Sequence, residues 1–230
     1  MKIVLLPGMD GTGNLFLPLL RYLKDEDIQI VTLPNSGNQD YLSIMERVEE
    51  QLPTEDYIIV AESFSGPVGA LLAKKQVTNL KGVVFVATFL SPPNKLLLKL
   101  AKFIPAQAAI RLPGSQLFIR HFLLGYNASK EAVELFIETI KELDPNVIRK
   151  RIGTIQQLLL ERMNVGIPSV YIQAEQDKLI PFNKAEEFRQ HFTDIELFTV
   201  KGPHFLLQSN PSDCASLIID LKQKILQQTK

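Results

Sequence analysis

Short apolar runs alternate with longer amphipathic stretches along most of this chain. Six runs rich in Val, Ile and Leu end in Gly, Pro, Asn or small polar residues, and they cover residues 2–8, 28–35, 57–63, 82–89, 168–174 and 195–200. Near-continuous apolar content is typical of parallel strands that are buried on both faces. The pattern therefore predicts a mostly parallel sheet of six strands.

Helical periodicity separates most of these runs. Apolar residues recur at helical spacing over residues 15–24, 40–51, 66–76, 183–191 and 211–227. Regular alternation of strands and helices favours an open sheet with helices on both faces. We therefore predict an α/β fold with a doubly wound, six-stranded sheet.

One long segment breaks the alternation. Residues 91–165 lie between the fourth and fifth predicted strands and contain no convincing strand. Helical periodicity in this segment covers residues 94–104, 115–124, 129–142 and 145–163. A long insertion in a compact domain is usually functional, although a stabilising helical appendage is the alternative. We predict a core of residues 1–90 and 166–230, with residues 91–165 inserted as a separate helical unit.

The third apolar run leads into a serine flanked by small residues. Ala61 lies two positions before Ser63, and Ser65 and Gly66 follow it. This small-x-Ser-x-small pattern is typical of a nucleophile elbow, a strained turn that presents the hydroxyl at a helix N-terminus. The alternative is a serine that only caps the helix. Glu62, beside the serine, is expected to turn away and pair with a donor.

A serine nucleophile requires a base, and the chain contains three histidines. His121 lies in an apolar run and His191 in a polar helical stretch, so packing and surface positions are expected for them. His204 follows the sixth apolar run in a loop, and active sites of α/β proteins form at that edge of the sheet. His204 is therefore the predicted base, against the alternative of a loop histidine without a role.

The base in turn requires a carboxylate that holds its imidazole in one tautomer. Asp177 follows the fifth apolar run and is the predicted acid, with Glu175 as its rival and a helix-capping role as the alternative. The chain order is Ser63, Asp177, His204. That order is the one found in α/β-hydrolases, and it differs from the orders in chymotrypsin-like and subtilisin-like enzymes.

Nearly the whole chain resembles a small serine esterase-like member of the α/β-hydrolase superfamily. The motifs that carry the resemblance are the Leu-Pro-Gly-Met-Asp-Gly-Thr-Gly segment at residues 6–13, the turn at Ser63, Asp177 with Pro181, and His204. The resemblance implies a sheet that lacks the first two strands of the common eight-stranded form. It also implies that residues 91–165 form a helical cap over the active site.

The resemblance further implies an oxyanion hole formed by the backbone N–H groups of Met9 and Phe64. Asp10 would replace Met9 if the loop were shifted by one residue. The glycines of this loop do not follow the spacing of a P-loop or of a dinucleotide-binding fingerprint, so a nucleotide is not expected.

Composition narrows the classes of protein to which the chain could belong. The chain has 25 basic and 25 acidic residues, and this balance gives no indication of nucleic-acid binding. The single cysteine, Cys214, cannot form an internal disulfide, and no Cys/His cluster suggests a metal site. The first apolar run is too short for a signal-peptide core, and no run has the length of a membrane span. A cytoplasmic protein without metal or cofactor is the expectation.

These features predict a serine hydrolase that cleaves an ester of an apolar acyl group. Thioester hydrolysis and acyl transfer would use the same residues, and a non-catalytic ligand-binding module is the alternative from another class. Phe16, Phe64 and Met9 suggest an apolar acyl pocket, although core packing explains Phe16 equally well. Lysines 95, 99 and 102 share one helical face, which would allow peripheral contact with anionic lipid or an acidic substrate group.

Overall fold

A computed structural model describes residues 1–94, 98, 110, 112–126 and 128–228 of the 230-residue chain. Most of the helix predicted over residues 94–104, including the lysines at 95, 99 and 102, lies outside the described residues. The predicted lipid contact through that helix therefore stays a prediction.

The described residues form one sheet of six parallel strands. The strands are β1 (Lys2–Leu6), β2 (Ile28–Ile30), β3 (Tyr57–Glu62), β4 (Leu80–Val86), β5 (Ser169–Ala174) and β6 (Ile195–Val200). Their order across the sheet is β2-β1-β3-β4-β5-β6, and every neighbouring pair is parallel. The chain order reverses between β1 and β3, and ligands of open α/β sheets bind outside the carboxyl ends of strands at such a point. The predicted fold class is confirmed.

The observed and predicted strand boundaries differ most for β2, at the edge of the sheet. β2 has three paired residues, where the apolar run predicted a strand over 28–35. It pairs with β1 alone, and the following Val31 and Leu33 are buried beyond the ladder. An apolar run therefore marks burial here rather than the length of the strand.

Nine α-helices lie within the described ranges. They are α1 (Leu17–Leu20), α2 (Tyr41–Glu49), α3 (Gly66–Lys74), α4 (Ser115–Phe118), α5 (Lys130–Glu142), α6 (Pro145–Gln156), α7 (Lys184–Arg189), α8 (Leu206–Ser209) and α9 (Pro211–Gln228). A π-helical stretch, Ile119–Leu124, continues α4. None of the described helices has the length and hydropathy that a membrane span requires.

The two faces of the sheet form two separate cores, because successive strand residues point to opposite faces. On β1, Val4 and Leu6 face one core, and Ile3 and Leu5 face the other. Residues from α2, α3, α6 and α7 cover the first core, and residues from α1, α8 and α9 cover the second. This arrangement confirms the doubly wound character of the fold.

The segment between β4 and β5 contains α4, α5 and α6. Asp144 caps the N-terminus of α6 by accepting a hydrogen bond from the backbone N–H of Asn146, and Pro145 occupies the first turn. The helix predicted over 145–163 ends at Gln156. Beyond it, Leu158 is buried in the first core and Leu159 is 90% exposed, because the apolar run there no longer follows a helical face. The role of the segment as a cap stays a prediction.

Candidate active site

Ser63 lies at the carboxyl end of β3 in a left-handed backbone conformation. Its φ angle is 47°, a value that non-glycine residues rarely adopt and that is common at strained functional turns. The turn depends on small neighbours. A Cβ atom at Gly66 would lie 1.9 Å from the hydroxyl of Thr88, and one at Gly69 would lie 3.1 Å from the Cβ of Ala61. The Thr88 hydroxyl donates to the Ser63 carbonyl and so fixes the turn.

The three residues predicted as nucleophile, base and acid lie together at this edge of the sheet. The Oγ atom of Ser63 is 2.9 Å from Nε2 of His204, and Nδ1 of His204 is 2.8 Å from Oδ2 of Asp177. If Nδ1 donates its proton to Asp177, Nε2 is free to accept the serine hydroxyl. The other carboxylate oxygen of Asp177 accepts backbone N–H groups from Leu179 and Ile180.

The rival acid and the other two histidines lie elsewhere. Glu175 is exposed, and no hydrogen bond or ion pair joins it to His204 within the described part of the chain. His191 is half-buried, and its Nδ1 atom accepts the backbone N–H of Met163. His121 contacts Tyr126 and Lys178 instead. Of the three histidines, only His204 lies at Ser63.

The environment of His204 favours its protonated form. Burial lowers the pKa of its imidazole, but the charge and hydrogen bond of Asp177, with the charge of Glu62, raise the pKa above its ordinary value. An imidazole that accepts the serine proton becomes an imidazolium. The carboxylates around His204 therefore stabilise the state that proton transfer would create.

Glu62, the residue directly before Ser63, is buried. Its Oε1 atom has no hydrogen-bond partner among the described residues, but hydrogen bonds from the Gln208 side chain and the Gly8 backbone act on the same carboxyl, so the pairing expected from the sequence is met in part. Burial and the nearby charge of Asp10 raise the pKa of its carboxyl to about 7, although Gln208, His204 and the Gly8 backbone act in the opposite direction. Near neutral pH, Glu62 is therefore divided between its neutral and charged forms.

The loop after β1 approaches Ser63 closely. A Cβ atom at Gly8 would lie 3.8 Å from the Cβ of Ser63. The Ser65 hydroxyl donates to the Pro7 carbonyl, which ties the loop to the turn. Within the described ranges, neither Met9 N–H nor Asp10 N–H donates a hydrogen bond. Both predicted loop donors to an oxyanion thus stay available, and the role of Met9 with Phe64 stays a prediction.

A buried arginine next to this loop was not found by sequence reasoning. Arg151 of α6 is only 1% exposed. Its guanidinium donates to the Met9 carbonyl at 2.6 Å, to Oε1 of Gln39 at 2.9 Å and to the Pro34 carbonyl at 2.9 Å. Arg151 falls on the buried face of the amphipathic helix, four residues after Val147 and four before Ile155. A charged residue on an apolar helical face was the available signal.

The inserted helices also contact the loop that carries His204. The backbone N–H of Phe205 donates to the Leu123 carbonyl at 3.1 Å, and the Phe205 ring packs edge-on against Phe136 with ring centroids 5.2 Å apart. Leu15 joins a small apolar cluster with residues of α5. The insert therefore touches both the histidine loop and, through Arg151, the loop after β1.

The residues that suggested an apolar acyl pocket lie in different surroundings. Phe16 is fully buried in the second core, so core packing explains it. Phe64 stacks on Tyr41, with ring centroids 5.0 Å apart. A cavity of about 730 Å³ is lined by Arg151 and by Asp10 and Gly11 of the loop after β1, but neither Ser63 nor His204 lines it. Among the described residues, no three His, Cys, Asp or Glu side chains converge in a way that could hold a metal ion.

The fold and the arrangement at Ser63 define an α/β-hydrolase. A family model described as serine aminopeptidase, S33, matches residues 35–204. Since this match covers well over half of the chain, the protein belongs to that hydrolase family. No curated protein sequence matches the chain.

Solved structures give the same fold at low sequence identity. A lipase-esterase related protein from Clostridium acetobutylicum is 18% identical, with a TM-score of 0.75 over 96% of this chain and 93% of its own. The enol-lactonase from Burkholderia xenovorans is 12% identical, with a TM-score of 0.77 over 96% and 91%. An esterase from Thermogutta terrifontis is 13% identical, with a TM-score of 0.77 over 98% and 90%. Likeness at this level of identity establishes the fold.

Proposed function

We propose that the protein is a serine hydrolase that cleaves a carboxylic ester of an apolar acyl group. Ser63 is the nucleophile, His204 the general base and Asp177 the residue that orients His204. The observation that carries the proposal is the pair of contacts described above, 2.9 Å from Ser63 to His204 and 2.8 Å from His204 to Asp177. The first distance is within the hydrogen-bonding range required between a nucleophile and its base, and the second is within the range required between the base and the residue that orients it.

The proposed reaction proceeds in two halves. The Ser63 oxygen attacks the ester carbonyl as its proton moves to Nε2 of His204, and the tetrahedral oxyanion is held by backbone N–H groups at Phe64 and Met9. The imidazolium then protonates the leaving alcohol, and the C–O bond to it breaks. Water, deprotonated by His204, attacks the acyl-enzyme and releases the carboxylic acid together with the Ser63 hydroxyl.

The test is covalent labelling followed by a substrate panel. A fluorophosphonate should label the wild-type protein at Ser63, as located by peptide mass spectrometry. Esters and CoA thioesters of graded chain length would then separate ester from thioester hydrolysis, and added alcohols would reveal acyl transfer. A folded protein without labelling or turnover would support the non-catalytic alternative and contradict the proposal.

A second candidate reaction is removal of an N-terminal residue from a peptide. The supporting observation is the description of the matching family as serine aminopeptidase. The same nucleophile and base would serve, because peptide and ester hydrolysis share the tetrahedral intermediate. Aminoacyl arylamides belong in the same panel, with matched acyl arylamides that lack the amino group. A preference of more than about tenfold for the free amine, which corresponds to about 1.4 kcal/mol, would favour this candidate.

A further inference from the structure

The loop that carries the predicted oxyanion donor is held from outside the core domain. Its hydrogen bond to Arg151 joins residues 142 positions apart in sequence. Arg151 is also the largest of the fully buried side chains in the described part of the chain. Such a contact joins the inserted segment directly to the site.

The guanidinium engages several segments at once. One nitrogen donates to the Met9 carbonyl, another to the Pro34 carbonyl after β2, and the third to the Gln39 side chain before α2. The planar fork of arginine fixes these directions together, which the single ammonium of lysine cannot do. The Met9 loop therefore has one defined position relative to β2, α2 and α6.

Arg151 contacts both sides of the predicted oxyanion hole. Besides Met9, its guanidinium carbon lies 5.6 Å from the ring centroid of Phe64. It also packs against Gly11, where a Cβ atom would lie 2.5 Å from a guanidinium nitrogen. The φ angle of Gly11 is +73°, so glycine is favoured there by backbone conformation as well as by space. The loop is shaped to fit around this side chain.

Stability alone is a poor explanation for this residue. All three hydrogen-bond acceptors are neutral, and no carboxylate among the described residues forms an ion pair with the guanidinium. Burial lowers the pKa of Arg151 to about 10, although the charge of Asp10 opposes the shift. An apolar residue of similar volume often stabilises a core as well as a buried charge does. A buried cation without a carboxylate partner therefore needs an explanation other than stability.

We propose that Arg151 is a positioning residue, which orients the oxyanion-hole loop from the inserted helix α6. The proposal rests on the proposed function. A trans peptide directs its C=O and N–H in opposite directions. By fixing the Met9 carbonyl, Arg151 sets the direction of Asp10 N–H and limits the rotation of the Met9 backbone. Whichever of the two N–H groups meets the oxyanion, its position depends on Arg151.

The test compares Arg151→Met and Arg151→Lys with two controls on the same helix. Arg149→Met removes an exposed cation whose guanidinium contacts Asn146. Thr154→Val removes the hydrogen bond from α6 to the Gln39 carbonyl and leaves Arg151 intact. Fluorophosphonate titration counts the reactive sites in each variant. The kcat for a 4-nitrophenyl ester is then given per titrated site, and KM is measured with the same ester. The inhibition constant of an aryl trifluoromethyl ketone then measures affinity for a tetrahedral adduct.

A displaced oxyanion donor weakens binding of the tetrahedral state more than binding of substrate. Loss of a donor costs about 10² to 10³ in kcat, and a misplaced donor should cost about 10- to 100-fold. For Arg151→Met we expect that loss in kcat per site, a parallel loss of ketone affinity, and a KM within about twofold. Arg151→Lys should recover part of both losses. The two controls should match the wild type.

The proposal is overturned if Arg151→Met keeps its wild-type kcat and ketone affinity per titrated site. A merely structural role would lower the number of titrated sites and leave these two values unchanged. If Arg151→Met does not fold, Arg151→Lys decides by the same criteria. A wild type that neither labels nor turns over would overturn the proposed function and this inference together. An active wild type with an unaffected Arg151 variant would overturn the inference alone.

Discussion

The loops at the carboxyl edge of the sheet and the helices of the insert reach the same site but are held there in different ways. Ser63, Asp177 and His204 each follow a strand within a few residues, and the strands themselves fix the spacing of those loops. The insert reaches the site through contacts between side chains and loops, such as those from Arg151 to Met9, from Leu123 to Phe205 and from His121 to Lys178. In this comparison the sheet places the proposed reactive groups, and the insert contacts the loops around them.

The largest expected effect comes from removing the proposed nucleophile, Ser63, at the end of β3. Ser63→Ala should reduce turnover by about 10⁶-fold, because loss of a triad nucleophile removes the covalent route. Fluorophosphonate labelling should disappear while the thermal unfolding transition remains. Turnover and labelling by the purified variant are the measurements. A variant that retains a tenth of wild-type turnover, with contamination excluded, would mean that the reaction does not use Ser63.

The next effect tests which carboxylate of the β5 loop acts on His204. Asp177→Asn should cost about 10⁴-fold in kcat, because an amide holds the imidazole in the wrong tautomer. Glu175→Gln is the matched control from the same loop and should remain near wild type, since Glu175 is exposed and Asp177 is the carboxylate bonded to the imidazole. The reverse ranking of the two variants in kcat would assign the acid role to Glu175.

The same comparison explains what the sequence could predict. Local sequence signals predict the sheet and the positions of Ser63, Asp177 and His204. These signals are an apolar run, small neighbours of the serine, and a polar side chain just after a strand. Arg151 has no local motif, and its three acceptors lie 112 to 142 positions away. The raised pKa of Glu62 was missed for a similar reason, since the groups that act on its carboxyl are Gly8, Asp10, His204 and Gln208.

A smaller, pH-dependent effect is expected at Glu62. Its folded-state pKa is raised from 4.5 to about 7, so the folded protein binds a proton that the unfolded chain releases. Below about pH 4.5 the group is neutral in both states, and its contribution to stability is fully present. As pH rises from about 4.5 to 7, the unfolded carboxyl ionises while the folded one keeps its proton, so about 3 kcal/mol of stability is lost progressively, and the loss is complete once pH has risen through the folded pKa.

Glu62→Gln should remove this dependence. Relative to wild type, the variant should gain unfolding free energy progressively between about pH 5 and pH 8, as measured by urea titration at each pH. The acid limb of kcat/KM should also move to lower pH, because the charge of Glu62 raises the pKa of His204. Glu175→Gln serves as the exposed control. A stability difference that is constant over this pH range would contradict a titrating Glu62.

The smallest expected effect concerns the Thr88 hydroxyl, which holds the strained turn from the loop directly after β4. Thr88→Val keeps the volume of the side chain but removes the donor to the Ser63 carbonyl. That carbonyl also accepts the backbone N–H of Gly66, so the loss should be about 1 kcal/mol in unfolding free energy. Thr88→Ser keeps the hydroxyl and separates this bond from the packing of the methyl group. Thr88 and Arg151 support the site from different segments, so the changes in unfolding free energy caused by Arg151→Met and Thr88→Val should add in the double variant. A double variant whose change in unfolding free energy departs from the sum of the two single changes by more than about 0.5 kcal/mol would show that sheet and insert hold the site as one unit.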